Sequence, residues 1–206
     1  MHQDFLALFL GGQRRARVLR VFVFNQVDSF TVAQVAKRAS VSSHVALEEM
    51  RALERAGIIK KGVFSIQVGE RTHRIEGKQK EQMWTLDQEC VHARAVSSFV
   101  HEVSPAHGES IVAKLKSSGR LSAVILSGVF MGDGTRPADL VIVADSHNEK
   151  RLERAIRDLE PELGREIRYA VFSTPEFRYR LTVHDRLIRD TLDYPHLVLL
   201  DKAKLL

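Results

Sequence analysis

A single cysteine, Cys90, among 206 residues leaves no intrachain disulfide to form, and it has no second thiolate with which to share a zinc ion. That economy fits a reducing, cytoplasmic setting. Long apolar runs are missing as well. The stretch 5–10 is too short to span a membrane or to act as a secretory core, and Asp4 rather than a basic cluster precedes it. It reads as a packing or dimerisation segment, so no membrane partner is expected. No internal repeat, low-complexity tract or Gly-x-Ser-x-Gly nucleophile elbow is present, and the nine histidines lack the i, i+4 spacing of a helical metal site. Trp84, the only tryptophan, reads as packing a hairpin against the segment that follows it.

Charge is present but unevenly spread. Residues 1–90 hold 14 Lys and Arg against 10 Asp and Glu, whereas residues 91–206 hold 17 against 16. Within 55–80 there are seven basic residues and two acidic ones, a balance that fits an anionic partner or, on charge alone, a solvated basic surface. A hydrophobic share of 44% lets both halves bury a core, and the change of pattern near residue 90 argues for two domains with a helical connector over 89–107.

The first half carries three helical patterns. Residues 14–24 present a wide apolar face. Thr31 is placed to cap a short amphipathic helix through Val32, Val35, Ala36 and Ala39. After a turn over 40–42, a third helix runs from Ser43 to about Ala56 and stops at Gly57, which tolerates a left-handed cap. At 100° per residue, Ala46, Met50 and Leu53 share one face of this third helix, and His44, Glu48, Arg51 and Arg55 share the opposite one. Arg51 and Arg55 suit guanine edges or phosphates, and Ser42, Ser43 and His44 lie where the first-turn amides attract phosphate. Strand-like residues follow on both sides of a basic, glycine-containing stretch, 69–80, with Lys60 and Lys61 ahead of it and Arg71, Arg74, Lys78 and Lys80 within it. These cations suit phosphate contacts that position without reading sequence.

Helix, turn, helix, glycine and basic hairpin occur here in order. On "FTVAQVAKRASVSSHVALEEMRALERAGIIKK" the chain resembles winged helix-turn-helix regulators across residues 1–88. The resemblance implies double-stranded DNA as partner and a homodimer, since two reading helices suit two half-sites.

The second half reads as strand, glycine loop (128–134), strand (139–144), a helix capped by Ser146 with Glu149, a third strand (166–172), and a helix begun by Ser173, Thr174 and Pro175. "LSAVILSGVFMGDGTRPADLVIVAD" and "GREIRYAVFSTPEF" resemble minimal nucleotidyltransferase domains over 108–206. Members of that family hold nucleotide phosphates on a Gly-Ser pair and magnesium on an Asp-x-Asp. Here Gly128 and Asp139 match, but Val129 and Pro137 stand at the partner positions. One carboxylate makes a poor magnesium site, because Mg²⁺ demands several oxygen ligands, unless Asp133, Asp145 or a residue near Glu166 completes it.

The expected fold class is therefore α+β: a winged helix-turn-helix followed by a nucleotidyltransferase-like mixed sheet flanked by helices. The expected function is a cytoplasmic, dimeric transcriptional regulator without a cofactor, its second domain dimerising, sensing a nucleotide or holding a protein partner. The rival is a nucleotidyltransferase that uses magnesium and nucleotide at a non-standard site. An interaction protein of a toxin-antitoxin pair stands third.

Overall fold

A computed structural model describes residues 4–65, 80–103 and 108–206. It is mixed α+β and divides into two compact units, Gln3–Val103 and Ser104–Leu206.

The first unit opens with α1 (Phe5–Phe9), capped by the Asp4 carboxylate on the Ala7 amide, and α2 (Gln13–Val23). From Val18 to Val23 every side chain of α2 is buried, so this helix forms the centre of the unit rather than an amphipathic surface. One of those buried residues is Arg20. Its two terminal nitrogens donate to the two Asp4 oxygens at 2.7 Å each, giving the interior guanidinium a counter-charge.

Helix α3 (Val32–Ala39) starts in a full capping box: the Thr31 hydroxyl accepts from the Gln34 amide, and the Gln34 side chain accepts from the Thr31 amide. Ser40 ends it with a left-handed φ of 52°. Two residues later Ser42 caps α4 (Ser43–Arg55) by accepting from the Val45 amide. Gly57, at φ +70°, then turns the chain into β1 (Ile59–Ser65), which pairs antiparallel with β2 (Lys80–Leu86). Phe30 forms a bridge to Trp84 of β2 and tethers the α3 entrance to this ribbon. Helix α5 (Ala93–Glu102), the expected connector, belongs to the first unit: its Phe99 ring meets Phe5 and Phe9, and His101 lies edge-on to Phe24. Trp84 is buried by Phe30 and α4, donating Nε1–H to Glu54 at 3.3 Å and lying 5.4 Å beneath the Lys61 ammonium.

In the second unit α6 (Gly108–Lys116) leads through β3 (Gly119–Arg120) to β4 (Ala123–Leu126). A 3-10 turn, Gly128–Met131, occupies the expected glycine loop, and β5 (Leu140–Val143) returns antiparallel to β4. The short strand β6 (Ser146–His147) pairs with β3. Helices α7 (Glu149–Arg157) and α8 (Glu160–Leu163) carry the chain across to β7 (Tyr169–Phe172), which is parallel to β5 as such a crossover requires. Helices α9 (Thr174–Thr182) and α10 (Arg186–Leu192) follow, and β8 (Leu197–Asp201) closes on the far side of β4. The sheet order is β7-β5-β4-β8, with β4 and β5 buried throughout. Phe172, Phe177 and Ile188 pack with Ile125, Val141 and Val143 in its core.

One expected cap is corrected. Ser146 is taken up in β6 opposite Arg120, and Asn148 caps α7 instead, accepting from the Arg151 amide at 3.0 Å.

Candidate nucleic-acid interface

The phasing read from sequence for α4 matches its environment. Ala46, Met50 and Leu53 are buried, while His44, Glu48, Arg51 and Arg55 are exposed, with Ser42 and Ser43 exposed at its start. A face of this kind costs nothing to desolvate from the protein side beyond its water, because Arg51 and Arg55 have no ion-pair partner among the described residues. His44 and Glu48 approach at 3.6 Å across one helical turn, both well exposed, a contact too open to fix either side chain.

The two lysines beyond Gly57 differ. Lys60 is held by Asp87 at 3.0 Å, with Glu89 at 3.8 Å, and the Asp87 carboxylate raises its pKa. Asp87 is correspondingly lowered, first by that lysine. Lys61 has no carboxylate partner among the described residues and instead lies over Trp84. Lys80 begins β2 opposite Ser65, whereas Arg71, Arg74 and Lys78 fall outside the described residues.

Sequence reasoning passed over three further cations. Arg14, Arg15 and Arg17 gather with Ser42 and Glu49 in a cleft of about 760 Å³ beside the start of α4. The signal in the sequence is the run "RRAR", three cations at the beginning of a helix.

In the second unit, Gly128 and Asp139 do come together, and their geometry is closed. Asp139 is fully buried and receives four hydrogen bonds: from the Val129 amide at 2.9 Å, the Arg168 amide at 3.0 Å, and Arg168 Nε and Nη2 at 3.0 and 2.9 Å. Those donors occupy both oxygens of the carboxylate. The same carboxylate holds the Arg168 guanidinium above its ordinary pKa. Gly128 has φ +54°, and a Cβ there would overlap Asp139 Oδ1 and lie 2.9 Å from the Ala138 carbonyl oxygen.

Of the other acids weighed as magnesium ligands, Asp133 and Asp145 are engaged by neighbouring donors. Asp133 accepts from the Thr135 hydroxyl, the Thr135 amide and Arg136, which lower its pKa to about 2. Asp145 accepts from the Thr174 amide at 2.6 Å and its hydroxyl at 2.8 Å, and its pKa is lowered by the same residue. Glu166 is exposed. Among the described residues no three His, Cys, Asp or Glu side chains gather as a metal site. With proline at 137 and Asp139 saturated by donors, these residues do not fit a magnesium pair.

No described helix is long and apolar enough to cross a membrane. No family model, curated protein or solved structure matches the chain.

Proposed function

We propose that this protein is a cytoplasmic DNA-binding regulator in which the first unit works as a winged helix-turn-helix and the second, nucleotidyltransferase-like in its order of elements, serves as a dimerisation or partner domain. The observation that carries the reading is the exposed face of α4. A helix packed by Ala46, Met50 and Leu53 offers Arg51 and Arg55 outward from a serine-capped start, the arrangement a major-groove helix needs. The turn before it and the β1–β2 ribbon after it support the same reading, in which the basic segment between the two strands, outside the described residues, is assigned to the wing.

The rival reading, transfer of a nucleotidyl group, is disfavoured by the Asp139–Arg168 pairing, which spends the one matching acid inside the chain. No comparable observation favours a toxin-antitoxin partner.

Selection of bound duplexes from a random pool by the full chain tests the proposal, and a recovered palindrome would identify a dimer. On that site Arg51→Ala should lower affinity by about 1 to 3 kcal/mol while hardly changing binding to random duplex. Failure to enrich any sequence would remove the reading role from α4.

A further inference from the structure

The cleft beside α4 has a charge pattern that the reading of α4 does not use. Its walls come from the α1–α2 turn, the first turns of α2 and the residues leading into α4. Of its three arginines only Arg15 is matched, by Glu49 at 2.7 Å. Arg14 and Arg17 have no acidic partner among the described residues. Arg17 Nε is also shut away from solvent without an acceptor among the described residues, an N–H whose desolvation they do not offset. Alone among the helices bordering the cleft, α2 begins without a side-chain cap, so no side chain answers its first amides, and Gln13, Arg14 and Arg15 of that first turn line the cleft.

Two unmatched guanidinium groups and open amides call for a ligand with negative charge and several acceptor oxygens. An oxyanion of phosphate type satisfies both needs, and guanidinium suits it particularly well. The cleft is open and larger than one such group, which favours a segment of chain over an enclosed small molecule. Position decides the source. Ser42 belongs both to the cleft wall and to the cap of α4, so an occupant lies at the N-terminal end of the helix assigned to the major groove, where the duplex backbone passes.

We propose that this cleft seats a backbone phosphate of duplex DNA, with Arg14 and Arg17 donating to its oxygens and Arg15 braced by Glu49. The proposal rests on the DNA-binding reading and adds to it an anchor outside the recognition face and the wing.

Anisotropy titrations of the full chain with the selected duplex and with random duplex, over a salt series, test it. Each phosphate neutralised contributes about −0.9 to the slope of log affinity against log salt, so the double variant Arg14→Ala, Arg17→Ala, which gives up the one phosphate seated in the cleft, should flatten the slope by about 0.9. Affinity should fall by a similar factor on both duplexes. The double variant Arg14→Lys, Arg17→Lys keeps the charge and should keep most of the slope, which separates lost contacts from a damaged fold. An unchanged slope in the alanine variant, with wild-type binding intact, overturns the anchor and leaves the DNA-binding reading standing. Wild-type protein that binds no duplex overturns both. Inorganic phosphate titrated by calorimetry supplies the remaining arm: a saturable heat that leaves DNA affinity unaltered would make the cleft a free-anion site and sink the proposal.

Discussion

Arg20 in the first unit and Asp139 in the second are both fully buried charges, yet they are satisfied in different ways. Arg20 depends on one carboxylate. Asp4 meets its two terminal nitrogens, and Nε is left without a partner. Burial pushes the Asp4 carboxyl up, but the hydrogen bonds and charge of Arg20 together with the helix amides outweigh it, and the net shift is downward. Asp139 instead has two backbone amides besides its arginine, so its charge is answered twice over.

The contrast repeats at the surface. A cleft of about 640 Å³ in the second unit also has three arginines in its wall, but each is matched: Arg136 by Asp133 at 2.7 Å, Arg180 by Asp185 at 2.9 Å, and Arg186 by Asp190 at 3.6 Å. Arg136 additionally stacks on Tyr194 at 3.7 Å. Counting cations would rank the two clefts equal. Counting unmatched cations separates them, and only the first retains charge for a partner.

The sharpest way to break the comparison is to strand Arg20. Asp4→Ala leaves a buried guanidinium without its acid, and urea unfolding of the first unit should show a loss of about 3 to 5 kcal/mol. Adding Arg20→Leu should recover most of it, because the charge goes with its partner. A loss under about 1 kcal/mol for Asp4→Ala would mean that water reaches Arg20, contrary to its burial.

Arg168→Ala should cost less, about 1 to 3 kcal/mol, since Asp139 keeps the amides of Val129 and residue 168 and the guanidinium is partly exposed. Equal losses for the two variants would erase the distinction between a singly and a doubly answered charge.

Smallest is the effect at Asp133. Its pKa in the folded chain is about 2, below the ordinary 3.8, so its contribution to stability is complete above about pH 4 and disappears as pH falls through about 2. The pair is open to solvent, which limits the contribution to about 1 kcal/mol or less. Denaturant midpoints between pH 5 and 2 should fall less steeply for Asp133→Asn than for the wild type, and parallel curves would show that the Thr135 and Arg136 contacts are not maintained in solution.

Much of the first unit was legible because its signals are local. The cap at Thr31, the stop at Gly57 and the two faces of α4 all depend on residues within a few positions of one another. Arg20 was not legible as an interior charge, since its acid lies sixteen residues away and the run around it reads as uniformly apolar. Asp139 and Arg168 are 29 residues apart and meet because β5 and β7 run side by side, a pairing no local pattern encodes. The cap of α7 was misplaced by two residues because Ser146 and Asn148 are both good cap formers, and only the pairing of β6 with β3 decides between them. Helix α10 and β8 went unread although Asp185 caps the helix and Pro195 lies in the turn between the two elements.

The fit of Gly128 against Asp139 limits what small changes of sequence can accomplish. Introducing a hydroxyl at 129 and an acid at 137 would give the outline of a phosphate-and-metal motif without freeing its central carboxylate, which stays clamped by Arg168. A side chain at 128 would collide with that carboxylate and force the left-handed backbone into strain, so the glycine is held in place by its own backbone as well as by the acid. Any mutational route from this chain to such a site must therefore pass first through loss of Arg168, and through the unstable intermediate that this loss creates.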